Sequence, residues 1–156
     1  MGLPRIRGTS AAETIIGTDI SEEIRGEGGN DTIHGGRGHD LLRGGSGNDF
    51  LFGDDGNDRL RGDRGDDTLT GGAGNDRFIF NVRGGTDTVT DYTDEADRLD
   101  FTNFGLLATD AQTKFDVLMG HAEQVGANTV FTMDGGETII LENVLISVLD
   151  AGDFRI

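Results

Sequence analysis

Between residues 8 and 79 an apolar residue recurs at every ninth position. Ile15, Ile24, Ile33, Leu42, Leu51, Leu60, Leu69 and Phe78 each sit between two residues that are mostly polar or charged. Outward, inward, outward is strand periodicity. The pattern therefore predicts eight short strands, each sending one side chain into a narrow core, with six residues of tight turn between them. Written from Gly8, the units are GTSAAETII, GTDISEEIR, GEGGNDTIH, GGRGHDLLR, GGSGNDFLF, GDDGNDRLR, GDRGDDTLT and GGAGNDRFI. A unit this small buries its apolar face only by stacking on its neighbours.

Past residue 79 the period fades. Phe80, Val89 and Tyr92 anchor strand-like segments at 77–82 and 86–92, and Asp97–Phe101 reads as another short strand. Thr109 to Gln112 has the form of a capping box. Phe115, Leu118, Met119, Ala122 and Val125 then mark one face of a helix that Gly126 ends. Asn128–Met133 and Glu137–Leu141 flank Asp134-Gly135-Gly136, a hairpin signal.

The polar columns of the repeat are as regular as the apolar one. Position 1 is glycine in all eight units. Position 4 is glycine in the last six, with Ala11 and Ile20 in the first two. Position 6 is always acidic: Glu13, Glu22, Asp31, Asp40, Asp49, Asp58, Asp67 and Asp76. Stacked carboxylates repel one another, and such a column is stable only with cations between the copies.

Composition narrows the partners. The 156 residues include 29 acidic and 13 basic ones, a net charge of −16. Nucleic acid and anionic membrane surfaces are excluded on charge. The absence of cysteine excludes disulfides, thiol catalysis and thiolate metal sites. No 18-residue apolar run exists, so membrane insertion is not expected. The first ten residues lack the apolar stretch of a conventional cleavable signal peptide.

The units match G-G-x-G-x-D-x-U-x, and residues 35–43, 44–52 and 71–79 fit it without departure. The chain thus resembles the RTX (repeats-in-toxin) hemolysin-type calcium-binding proteins. The resemblance implies a mainly β fold, a parallel β-roll (β-solenoid) over residues 8–79, followed by a small mixed α/β cap over 80–156. In that fold successive strands alternate between two sheets, and the turns of units n and n+2 stack with calcium between them. One edge then pairs Glu13–Asp31, Asp31–Asp49 and Asp49–Asp67; the other pairs Glu22–Asp40, Asp40–Asp58 and Asp58–Asp76. The resemblance also implies that turn carbonyls complete an all-oxygen shell, assigned here to Gly29, Gly36, Gly38, Gly45, Gly47, Gly56, Gly65 and Gly74. About four to six Ca2+ ions are expected. The first two units, with Glu13 and Glu22 and without the position-4 glycine, are expected to form a metal-poor cap. Gly84-Gly85-Thr86-Asp87-Thr88-Val89 reads either as a ninth unit, with Asp87 stacked on Asp67, or as an ordinary polar turn.

The repeat block carries 15 acidic and 7 basic residues, a net of −8 that four calcium ions would balance. Folding of the roll is therefore expected to depend on calcium. Residues 86–92, Asp97–Asp100 and Asp153-Phe154-Arg155-Ile156 resemble the C-terminal region that type I secretion systems read in this family, which implies a secreted, extracellular bacterial protein. Positions 7 and 9 point outward. One sheet is expected to show Thr14, Ile16, Thr32, His34, Phe50, Phe52, Thr68 and Thr70. The other should show Arg25, Arg43 and Arg61 as a basic column, either a docking strip for an anionic polysaccharide or a solvated face paired with local carboxylates. Asp54 and Asp63, at position 2, either add ligands or are solvated. No H-E-x-x-H or G-x-S-x-G motif exists, and His34, His39 and His121 are scattered, so no enzyme is expected.

Overall fold

The computed structural model describes residues 2–106 and 110–156; Thr109, where the capping box begins, lies outside them. The described chain is mainly β, a parallel solenoid with one short α-helix near the C-terminal end. One sheet stacks β1 (Arg5–Arg7), β3 (Glu23–Gly28), β6 (Leu41–Ser46), β9 (Arg59–Arg64), β11 (Arg77–Ile79), β13 (Arg98–Asp100) and β17 (Phe154–Arg155), all parallel. The other stacks β2 (Thr14–Ile16), β4 (Thr32–His34), β7 (Phe50–Phe52), β10 (Thr68–Thr70), β12 (Thr86–Val89) and β16 (Thr138–Leu141) in parallel. It ends in the antiparallel strands β15 (Asn128–Thr132) and β14 (Ala122–Val125). Two-residue strands β5 (Arg37–Gly38) and β8 (Asp55–Gly56) pair turn to turn on one edge.

Short turns can link parallel strands here because consecutive units fall in opposite sheets, and the chain returns to its own sheet after two units. The register is consequently two units, as in Ile33↔Leu51 and Leu42↔Leu60. All eight position-8 side chains are buried. The inner ladder also runs past the repeat. Ile6 stacks below Ile24, Val89 and Leu141 extend one column, and Leu99 and Phe154 extend the other. Both sheets therefore continue beyond residue 79. Phe101 seals the far end, with ring centroids 5.0 Å from Phe80, 5.6 Å from Phe131 and 6.0 Å from Phe154.

The expected long helix is shorter. α1 spans Ala111–Met119, is capped by the Asp110 side chain accepting from the Thr113 N–H, and closes at Gly120. Ala122 and Val125 lie instead on β14, which forms a hairpin with β15 through Gly126 at φ 65°. Val125 is exposed, so its helical spacing from Leu118 carried no burial. Ladder hydrogen bonds to β15 take the place of a further helical turn. The Asp134–Gly136 hairpin forms as expected, between β15 and β16.

Candidate metal centre

The turns converge because two glycine columns leave room for them, for different reasons. At position 1 the space a Cβ would occupy is already filled. At Gly53 it is filled by Asp58 Oδ2, 2.6 Å away, and by the Gly71 carbonyl oxygen of the next coil. Gly8, Gly17, Gly26, Gly35, Gly44, Gly62 and Gly71 each meet their own unit's carboxylate in the same way. Position 4 is crowded from the preceding coil. A Cβ at Gly38 would lie 2.7 Å from the Ile20 carbonyl carbon, and one at Gly47 would strike the Gly29 carbonyl. The first two units have no earlier repeat beneath them, which is why Ala11 and Ile20 are admitted there. Gly29, Gly36, Gly38, Gly45, Gly47, Gly56, Gly65 and Gly74 all have positive φ within these turns. At position 2, Glu27, Asp54 and Asp63 take the same left-handed conformation that glycine holds in other units.

The position-6 carboxylates form two buried ladders. Asp49 Oδ1 accepts from the Asp31 N–H at 2.8 Å, Asp67 Oδ1 from the Asp49 N–H at 2.8 Å, and Asp31 Oδ1 from the Glu13 N–H at 2.8 Å. On the other edge Asp40 Oδ1 accepts from the Glu22 N–H, Asp58 Oδ1 from the Asp40 N–H and Asp76 Oδ1 from the Asp58 N–H. The second oxygen is different. Oδ2 of Asp31, Asp40, Asp49, Asp58, Asp67 and Asp76 is buried and has no hydrogen-bond partner. An unpaired buried carboxylate oxygen facing a carbonyl oxygen is costly unless a cation lies between them. Among the described residues no three acidic or histidine side chains converge, so a cation here would draw most of its oxygens from the backbone. A hard, all-oxygen set with a few carboxylates suits Ca2+ and not a softer metal.

Three of the four ladder ends carry a further N–H donor on the carboxylate. Glu13 Oε2 accepts from the Thr9 N–H at 2.6 Å, and Glu22 Oε2 from the Thr18 N–H at 2.8 Å. At the far end Asp97 takes the place after Asp76, accepting from the Asp76 N–H at 2.9 Å through Oδ1 and from the Thr93 N–H at 2.8 Å through Oδ2. In all three, the N–H of a threonine four residues earlier stands where the other turns leave an oxygen bare. Asp97 was not singled out as a ladder residue from the sequence; the Thr-x-x-x-acid spacing, shared with Glu13 and Glu22, was the available signal. Asp87 does stack on Asp67, accepting from its N–H at 3.4 Å, and is buried.

Burial drives the carboxyls toward their neutral form. It raises Asp49 and Asp58 to about 7, Asp40, Asp67 and Asp76 to about 6, and Asp87 to about 8, with nearby carboxylates adding repulsion. An unfolded Asp titrates near about 4. These raised values mean that the metal-free fold gains stability from protonation below about pH 4 and loses it as pH rises through about 6 to 8. In metal-free buffer, far-UV circular dichroism is therefore expected to show more β-structure at pH 5 than at pH 8. More β-structure at pH 8 would contradict the buried ladder.

The remaining candidates are paired. Asp63 meets Arg61 at 2.7 Å, and Asp54 lies 3.2 Å from His34, whose ring stacks on Phe52. His39 accepts from the Asn57 N–H in the turn stack, and His121 lies near the Thr132 carbonyl at the hairpin.

A family model described as "RTX calcium-binding nonapeptide repeat (4 copies)" matches residues 7–42, 16–51 and 52–89, together more than half of the chain. Among solved structures, the chain is similar to the extracellular lipase LipA of Serratia marcescens (16% identity, TM-score 0.52), covering 100% of this chain and 40% of the lipase. It is also similar to the R3 subunit of the Azotobacter vinelandii mannuronan C5-epimerase AlgE6 (24% identity, TM-score 0.52), covering 94% of this chain and 80% of that one. The R2 subunit gives 24% identity and a TM-score of 0.56, covering 97% and 91%. At these identities the likeness shows the fold. No curated protein matches the chain.

Proposed function

The chain belongs to the RTX calcium-binding nonapeptide repeat family, and from that premise we propose that it is a calcium-binding β-roll module that folds on binding Ca2+ outside the cell. The observation carrying this is the set of six buried carboxylate oxygens without a partner. Asp31, Asp40, Asp49, Asp58, Asp67 and Asp76 are assigned as the side-chain ligands, with turn carbonyls beside them. Calcium, when bound, supplies the positive charge these oxygens lack. Glu13, Glu22 and Asp97 close the ladders as cation-free ends. Residues 8–79 carry the binding segment, and 80–156 close the roll. Equilibrium dialysis is expected to count six bound calcium ions, one for each unpaired oxygen. A count below four would sink the assignment.

The electrostatics favour a chain that stays open where calcium is scarce. Without cations, buried like charges oppose stacking. Sites of the extracellular type fill at millimolar calcium. We therefore place the folded module outside the cell and assign type I secretion as its route. Phe154 is buried in β17, so a C-terminal signal that includes it is readable before the roll closes and hidden afterwards. No catalytic step belongs to this proposal.

A second reading rests on a different observation. Nine of the twelve arginines stand on the outward face of the first sheet, among them the registered columns Arg7–Arg25–Arg43–Arg61 and Arg59–Arg77–Arg98. An anionic polysaccharide is the ligand such a face would take, as part of a larger secreted protein. Retention of the calcium-loaded protein on polygalacturonate, weakened by salt, would support it. Passage without delay at low salt would exclude it.

A further inference from the structure

We propose that the outward face of the first sheet contains one discrete oxoanion site, centred on Arg43, that accepts a single carboxylate or sulfate group. The argument is a missing partner in an otherwise paired column. Arg7 pairs with Glu27, Arg25 with Glu23, and Arg61 with Asp63. The acidic partners Glu27 and Asp63 occupy one register column, and the residue between them in that column is Gly45. Arg43 is thus the guanidinium for which the ladder offers no acid. Among the described residues it makes no ion pair; its Nε is buried without a hydrogen-bond partner, as is that of Arg61, but Arg61 has Asp63 beside it.

Space accompanies the vacancy. A cavity of about 250 Å³ opens there, lined by Arg25, Arg43, Arg61, Glu27, Asp63 and the Gly44–Gly45 backbone. Three guanidiniums against two carboxylates leave one positive charge, and both carboxylates are already engaged, Glu27 by Arg7 and Asp63 by Arg61. A singly charged oxoanion completes the balance; a doubly charged one overshoots it beside Glu27 and Asp63. The planar guanidinium favours carboxylate or sulfate ester geometry over a spherical halide. This site adjoins a calcium turn, since Gly44 and Gly45 line it and belong to the turn that presents Asp49. It deepens the polysaccharide reading without requiring it, because the group it binds can be free or carried on a polymer.

The test uses the full chain loaded with calcium. The Arg43 Nε–H resonance is followed while sodium acetate replaces sodium chloride at constant ionic strength, with methyl sulfate as a second probe and oligogalacturonate as the polymer arm. A saturable shift with acetate is expected. Arg43→Gln should weaken binding about tenfold or more, the effect of losing a charge-assisted hydrogen bond. Because the mutant loses the reporter, acetate binding is also read by thermal shift. Arg37→Gln, which removes the same charge from a turn outside this face, should leave the acetate response within about twofold, since exposed pairs contribute little. Calcium-dependent circular dichroism confirms that both variants fold. A linear, unsaturated response to acetate, or equal losses in the two variants, would overturn the site. Acetate binding with no tighter hold on oligogalacturonate would keep the site and exclude the polysaccharide reading. Oligogalacturonate binding unaffected by Arg43→Gln would do the reverse.

Discussion

Replacing Leu51 with alanine is expected to destabilise the calcium-loaded protein by about 4 kcal/mol, near the top of the range for buried leucine truncations. Leu51 is fully buried and stacks in register between Ile33 and Leu69. Two features put the effect at the upper end. Each coil contributes only two inward side chains, so few neighbours can move into the cavity. The backbone around it is pinned on both sides by parallel ladders that repeat every coil, which resists collapse. Domains of this size are stable by roughly 5 to 15 kcal/mol, so the loss takes a large share of the total. Chemical denaturation at saturating calcium measures it, with Thr68→Ala on the outward face as a control expected to cost under about 1 kcal/mol. Equal losses at the two positions would mean that the inner ladder does not hold the roll together.

Asp58→Asn is expected to raise the calcium concentration at half-saturation about tenfold or more, since ligand charge sets affinity in such sites. The substitution keeps the acceptor that the Asp40 N–H uses at 2.7 Å, so the turn is retained. It removes the negative charge at the unpaired Oδ2 and can place an N–H donor there instead. Glu22→Gln is the matched comparison. Glu22 Oε2 already accepts from the Thr18 N–H and Oε1 from the Thr18 hydroxyl. Its loss should shift the calcium midpoint by less than about twofold while lowering metal-free stability. Calorimetric titration of the two variants separates a bound oxygen from a bare one. Similar shifts in both would mean that the unpaired oxygens do not mark the binding positions.

The repeat made most of the architecture legible, because every column has one physical cause. Position 8 fills the core, position 1 yields space to the carboxylate, and position 4 avoids the carbonyl of the coil before it. The exceptions Ala11 and Ile20 looked like signs of poor metal binding; the geometry gives them a simpler cause, the absence of a preceding repeat to strike. What the sequence hid lies where the period stops. β1 carries only the last three positions of a unit; Ile6 keeps the nine-residue spacing to Ile15, but without a glycine-rich turn before it the strand is easily passed over. Asp97 continues a ladder through a turn of different length, so a fixed spacing passes over it. At α1 the apolar spacing of Ala122 and Val125 suited a helix, but strand pairing with β15 decided the matter and left Val125 in solvent. The unpaired oxygens themselves were beyond reach of the sequence. Asp58, with a bare oxygen, and Asp97, with none, are the same residue type on the same edge.

The central claim is that these buried carboxylates make the roll a calcium-dependent fold. Far-UV circular dichroism at pH 7.5 tests it most directly, following chelator-treated protein as calcium is restored, with magnesium as the control. The account predicts a largely disordered spectrum without metal, a cooperative rise of β-structure with calcium, and little response to magnesium at the same concentration. A full β spectrum in the absence of calcium, unchanged when it is added, would contradict it.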